Sequence, residues 1–354
     1  MINFKNSILV LGKYYPPEAG GIEKTSKILF EALPYPQKIF IAFSKSTQQE
    51  KAGQVRKFRA FTFFGQPLSL WYLISAVMVA RNSKRIYLHF PNILGAVSCI
   101  FARKESSIII HWHSDVVKQK YIYKLLQPVI QLLLVRANVI IVTTRSYADA
   151  SSSLKLHQHK IVELFSSTER PKQFTVCDNK SRRLLFVGRL VSYKGLKEFL
   201  SLVPTHLFDR FDIVGDGPLL NNIKEIITIR KLTNVYIHTN VSDKSLREFY
   251  ERATVLTLPS GSRAEAFGLV MVEAFSYGIP AVCFDIPGSG VSTVNRHNIS
   301  GFVAPHGNYQ ALFDLIEEAF KKFSTQKSRQ QIINYYEINF ENDIVLDRYR
   351  SIID

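Results

Sequence analysis

Short apolar runs alternate with helix-patterned stretches along this chain, and the alternation occurs twice. In the first half the runs are Ile8–Leu11, Ile39–Phe43, Ile86–Phe90, Ile108–Trp112 and Val139–Val142. They are apolar at nearly every position, as strands covered on both faces are. Between them lie the helical patterns Ile22–Leu33, Leu68–Ala80 and Val116–Val135, the last carrying Pro128. Ser166–Arg183 is polar and holds Pro, Asp and Asn, and reads as a linker. The alternation then restarts. Leu184–Gly188, Phe211–Gly217, Val235–Thr239, Val255–Pro259 and Ala281–Asp285 are strand candidates. Leu196–Leu202, Leu219–Arg230, Lys244–Ala253, Leu269–Tyr277 and Tyr309–Phe323 are helix candidates. Such a chain can bury its strands only in parallel sheets wrapped by helices. At 354 residues it is also too long for one core. The expectation is two Rossmann-like, doubly wound α/β domains, 1–170 and 171–337. A helical tail, 338–354, is expected to pack across their junction. Ligands of such sheets bind beyond the carboxyl ends of the strands, here in the cleft between the domains.

Charge separates the two halves. Residues 1–170 hold 23 Lys and Arg against 9 Asp and Glu, whereas residues 171–354 hold 22 against 20. The first half is therefore suited to an anionic partner or surface. Three isolated cysteines, Cys99, Cys177 and Cys283, form no CxxC pair and fit a reducing compartment. The N-terminus runs directly into a strand without a signal-peptide core. Ala60–Ala80 is uncharged, but Gly65-Gln66-Pro67 interrupts it. The remaining apolar helix is too short for a bilayer, which needs about 20 residues.

The run Pro259–Gly278, "PSGSRAEAFGLVMVEAFSYG", carries the most chemistry. Glu265 follows a strand, Gly268 opens a helix, and Glu273 falls in its second turn. The amides of Phe267, Gly268, Leu269 and Val270 then lie at a helix N-terminus, which binds phosphate through its donors and dipole. In "FVGRLVSYKG" two cations, Arg189 and Lys194, follow another strand end. Near the N-terminus, "YYPPEAGGIEK" places Gly20 and Gly21 between the first strand and the first helix, leaving that helix start open to a ligand.

These motifs resemble those of retaining glycosyltransferase family 4, which has the GT-B fold. "EAFGLVMVEA", "FVGRLVSYKG", "VGDGP", "LPS" and "PGSGVSTVNRHNISGFVAPHGN" match in order and spacing. "YYPPEAGGIEK", "HFPN" and "HWHSDVVKQK" are similar to a bacterial, mannosyltransferase-like branch. The resemblance implies that Arg189 and Lys194 hold the donor diphosphate. It implies that Glu265 and the following amides grip the sugar, and that Glu273 holds the ribose. The backbone near Val241 would touch the base, and His113 would hydrogen-bond the donor sugar. It further implies metal-independent transfer without a cofactor, from a nucleoside-diphosphate sugar (GDP-mannose first, a UDP-sugar second) to a saccharide. A polyisoprenyl-linked acceptor at the inner face of the cytoplasmic membrane would suit the basic half, in O-antigen, capsule or exopolysaccharide synthesis. The sequence departs from the family at "IVELFSSTERP", where a Gly-rich turn is usual.

His111 and His113 share one face of their strand by period two. No third ligand stands at a metal-site spacing, so no metal is expected. "FDIVGD" places Asp212 and Asp216 around a strand, and both read as structural. A dehydrogenase would need the G-x-G-x-x-G that the first strand–helix turn lacks. A nucleic-acid binder would need a recognised module, and none is present. A non-catalytic nucleotide-sugar-binding scaffold would have no need of Arg189, Lys194, Glu265, Glu273 and His113 together.

Overall fold

The computed structural model describes residues 7–16, 21–44, 50–52, 54–63, 66–115, 120–171 and 181–353. Gly20, Cys177 and Val116–Gln119 lie outside the described residues. The chain divides into two units, Met1–Phe165 with Leu346–Asp354, and Ser166–Val345.

The first unit's strands are β1 (Ser7–Leu11), β2 (Gln37–Ser44), β3 (Glu50–Ala52), β4 (Val55–Arg59), β5 (Phe61–Phe63), β6 (Gln66–Leu68), β7 (Arg85–Phe90), β8 (Ser107–Trp112), β9 (Val139–Val142) and β10 (Ile161–Glu163). β5 and β6 pair apart as a hairpin, and the others form one sheet in the order β10-β9-β8-β7-β1-β2-β4-β3. All its pairs are parallel except β3 with β4. Leu9, Phe40, Ile86, Ile110 and Ile140 are sealed in its core. Helices α1 (Gly21–Ala32), α2 (Leu70–Ala80), α3 (Ile93–Ile100), α4 (Lys120–Arg136) and α5 (Arg145–Asp149) connect them.

Two of these elements correct the sequence reading. Leu68 ends β6 and Ser69 caps α2 by accepting the Tyr72 amide, so that helix starts at Leu70. α3 was absent from the expectation because it is short and, Ser98 apart, has no polar residue to mark a helical period. Asn92 starts it by accepting the Gly95 amide at 3.0 Å.

The second unit contains β11 (Arg183–Val187), β12 (Arg210–Val214), β13 (Val235–His238), β14 (Val255–Leu258), β15 (Ala281–Asp285) and β16 (Gly301–Pro305). They form one parallel sheet in the order β13-β12-β11-β14-β15-β16. Its helices are α6 (Leu196–Leu202), α7 (Leu220–Ile229), α8 (Asp243–Arg252), α9 (Leu269–Ser276), α10 (Val291–Val294), α11 (Tyr309–Lys322) and α12 (Gln326–Asn339). A last helix, α13 (Asn342–Ile353), begins in this unit and ends in the first. The tail is thus two helices, broken where Phe340 is buried. The unusual turn near Ser166 is packed, because Thr168 bridges Glu341 and its carbonyl accepts the Tyr336 hydroxyl. Ser166, Ser167 and Thr168 are all buried.

Candidate active site

Strand order reverses between β11 and β14 in the second unit, and the loops leaving such a switch point bind ligands in α/β sheets. Both loops carry the expected charges. After β11 the chain runs through Gly188 and Arg189 into a 3₁₀ turn, Ser192–Lys194. Gly195 then takes φ +67°, and a Cβ there would lie 2.0 Å from the Pro259 carbonyl oxygen. Only glycine permits that approach, so the two loops pack backbone to backbone. The Gly261 amide donates to the Tyr193 carbonyl at 2.9 Å, tightening the same contact.

This packing brings Lys194 to Glu265, with Nζ 2.5 Å from Oε2. Both side chains are about nine-tenths buried. Ser260 Oγ donates to the same carboxylate oxygen at 3.0 Å, and Ser289 Oγ donates to the Glu265 carbonyl. Burial acts to lower the Lys194 pKa, but the charges of Glu265 and Tyr193 outweigh it, and the net shift is upward. The ammonium therefore stays protonated inside the fold. Arg189 is exposed beside it, with no side-chain partner among the described residues. Burial raises the Tyr193 pKa, and Lys194 and Arg189 both oppose that rise.

Gly268 stands before α9 at φ +78°, where a Cβ would lie 2.6 Å from Met271 Cε. Among the described residues no side chain caps this helix end. Leu269 and Val270 form its first turn, half-buried, and Phe267 is buried against Phe340. Glu273, one turn on, accepts the Tyr250 hydroxyl at 2.7 Å. Tyr250 is buried and lies parallel to Tyr277. Val241 lies between β13 and α8, half-buried, next to the capping Ser242. Asp212 is held by Arg210 and His238, each at 2.8 Å. Burial pushes its pKa up, but these two partners more than offset that and hold it below the usual carboxylate range.

The first unit has its own reversal, between β1 and β7. Gly21 opens α1 after β1 and is exposed. His113 follows β8 and is buried, and its amide bonds the Phe90 carbonyl. Sequence reasoning missed its neighbour. His89, on β7, lies in register with His111 on β8, so three imidazoles gather on one sheet face. One ring nitrogen from each lies within 4.8 Å of the others. The signal was available in "HFPN": two successive parallel strands, paired in register, bring their histidines together. His89 Nδ1 and His113 Nε2 are 2.9 Å apart in rings inclined by only 4°. Parallel rings in face-to-face contact would be about 3.5 Å apart or more. These rings therefore meet edge to edge, with nitrogen aimed at nitrogen across a shared proton. Two ligands of one metal would instead converge on a third point. Asp115 accepts Trp112 Nε1 and Ser151 Oγ, so it is tied into the unit's framework.

Residues 167–337 match the family model described as "Glycosyl transferases group 1". The chain is 27% identical to the O-antigen chain mannosyltransferase C of Escherichia coli, over 95% of this chain and 94% of that protein. It is 27% identical to the D-rhamnosyltransferase WbpZ of Pseudomonas aeruginosa, over 64% and 61% of the two chains. Among solved structures, Anabaena Alr3699/HepE in complex with UDP has a TM-score of 0.75 at 17% identity, covering 98% of this chain and 99% of its own. The sucrose-phosphate synthase of Thermosynechococcus elongatus has a TM-score of 0.77 at 17% identity, covering 98% of each chain.

Proposed function

We infer that this chain, which belongs to the group 1 glycosyl transferases and has the GT-B fold, transfers a hexose from a nucleoside-diphosphate sugar to a saccharide acceptor, with retention at the anomeric carbon. The observation that carries this reading is the buried Lys194–Glu265 pair at the switch point, beside the exposed Arg189 and the uncapped start of α9. Arg189 and Lys194 would receive the diphosphate, and α9 would add its first-turn amides and dipole. Charge building on the leaving group would meet donors already in place, with no metal needed. Glu265, held by Lys194 and Ser260, would orient the sugar hydroxyls, assisted by a hydrogen bond from His113. Glu273, which accepts the Tyr250 hydroxyl, would accept the ribose hydroxyls, since a carboxylate has about four acceptor sites. The acceptor hydroxyl would attack from the face the diphosphate leaves, passing its proton to the departing phosphate.

GDP-mannose is the first donor, supported by the named activity of the relative that matches nearly the whole chain. A UDP-sugar is the second reading, supported by the UDP complex of a protein with this fold. The acceptor is a polyisoprenyl-linked saccharide in bacterial surface polysaccharide synthesis, with the protein peripheral on the inner face of the cytoplasmic membrane. Among the described residues no helix is long and apolar enough to cross a membrane. Thermal-shift titration with GDP-mannose and UDP-sugars tests the donor, because a ligand of the native state raises the melting temperature by mass action. Radiolabelled transfer to an undecaprenyl-linked saccharide tests the reaction. No stabilisation by any nucleotide sugar, together with no transfer, would sink the reading.

A further inference from the structure

The histidine cluster has a proton arrangement that the geometry decides. His89 Nδ1 lies 2.9 Å from His113 Nε2 and 3.2 Å from Ser26 Oγ. The opposite nitrogen, His89 Nε2, is sealed from solvent and has no hydrogen-bond partner among the described residues. A neutral imidazole carries one N–H. If His89 carried it on Nε2, a donor would be buried without an acceptor. Orphaned N–H groups are rarer in folded proteins than orphaned acceptors. With the proton on Nδ1, the N–H points at His113 Nε2 with Ser26 Oγ as a second acceptor, and only a bare lone pair is buried.

We infer that His89 is a positioning residue that fixes the tautomer of His113: His89 Nδ1–H donates to His113 Nε2, so His113 carries its own proton on Nδ1. That Nδ1 makes no hydrogen bond among the described residues, and it is not among the sealed, unpartnered atoms. His113 itself stands just past the carboxyl end of β8, where a ligand of this sheet would lie. The result is an Nδ1 that can only donate, never accept, on a ring that cannot turn over without losing its bond to His89. His111 stacks on the same ring, with centroids 4.0 Å apart, and its own Nδ1 bonds Tyr87. Both features further restrict rotation of His113. The consequence for transfer rests on the reading of His113 as a sugar contact. A fixed donor suits a hydroxyl or ring oxygen of the donor sugar and rejects a group that can only donate.

Nitrogen-15 NMR of protein labelled at histidine tests the assignment, with His113 identified by its loss in His113→Gln. The expected spectrum shows His113 Nε2 as a bare acceptor and Nδ1 as protonated. In His89→Phe both signals should move toward a mixture of tautomers. In His89→Asn, whose amide can restore a donor to His113 Nε2, they should return. Transfer should follow, with kcat down about tenfold in His89→Phe, donor KM little changed, and recovery in His89→Asn. A protonated Nε2 in the wild-type protein overturns the assignment whatever the kinetics show. So does an unchanged tautomer in a folded His89→Phe protein. Normal turnover in His113→Gln would instead remove the sugar contact, while the wild-type spectrum would still decide the tautomer.

Discussion

The Lys194 ammonium lies 2.5 Å from the Glu265 carboxylate, and both side chains are almost wholly buried. Removing one partner strands the other charge, which costs about 3–5 kcal/mol, whereas replacing both with neutral groups is often neutral or stabilising. Lys194→Ala and Glu265→Ala should each lower stability in denaturant titrations. Lys194→Met combined with Glu265→Gln should recover most of the loss. Activity should not recover in the double variant. Loss of a preorganised donor at the leaving group is expected to lower kcat by about 100- to 1,000-fold or more. A double variant that regains both stability and turnover would show the pair to be purely structural.

Tyr250 provides a separate probe of Glu273. Burial raises the pKa of its phenol, and the Glu273 charge raises it further, so the hydroxyl stays a donor. Tyr250→Phe removes one bond to a carboxylate, worth about 1.5–3 kcal/mol. Glu273 would then be less firmly placed for the ribose. Donor KM should rise severalfold with kcat nearly unchanged, in initial-rate kinetics varying the nucleotide sugar. A change in kcat alone would argue against a ribose role.

Much of this was legible because parallel sheets write themselves as apolar runs. β9 and β15 have the limits the pattern implied, Val139–Val142 and Ala281–Asp285. The elements that escaped have mixed signals. β4 reads "VRKFR", with Lys57 buried and its ammonium bonded to the Pro16 carbonyl, so three cations in five residues hide a strand covered on both faces. β16 reads "GFVAP", with turn residues at both ends. In the candidate site, Lys194 and Glu265 could be named from motif spacing, since each follows a strand end closely. His89 was missed although its strand visibly carried a histidine, because its partnership with His113 emerges only when β7 is paired in register with β8. Tyr250 was missed likewise, since it meets the sequence-named Glu273 from a different helix.

The histidine cluster predicts the pH dependence of stability. Burial lowers the His113 pKa to about 3, and burial and neighbouring imidazoles push those of His89 and His111 well down. Unfolded histidines titrate near pH 6.5. Below that value the unfolded chain binds protons that the folded chain does not, so stability rises with pH up to about 6.5 and is then flat for these groups. Their contribution is fully present above pH 6.5 and is lost as pH falls toward 3, at up to about 1.4 kcal/mol per pH unit for each histidine. Denaturant melts between pH 5 and 7.5 should show this slope, reduced by about one proton in His113→Gln. An identical slope in that variant would mean that His113 titrates normally in the folded protein.

The last prediction concerns the membrane. α2 exposes Leu70, Trp71 and Met78 at 62–68%, with Ile74 between them at 40%. Their spacing puts them on one helical stripe. α3 packs beside α2 and α4 beside α3, and Phe101, at the end of α3, and Leu132 and Val135, on α4, are also exposed. Arg81, Lys84, Arg103 and Lys104 are exposed near the helix end, and Arg103 Nε bonds the Arg81 carbonyl at 2.7 Å. An apolar stripe rimmed by cations suits the interface of an anionic bilayer, where each basic residue near the surface contributes about 1 kcal/mol. Vesicles rich in phosphatidylglycerol should therefore pellet the protein, and phosphatidylcholine vesicles should do so far less. Trp71→Glu with Met78→Glu should abolish pelleting while leaving the melting temperature and transfer to a water-soluble acceptor nearly unchanged. Equal, weak binding to both vesicle types, or pelleting that survives the double substitution, would rule this face out.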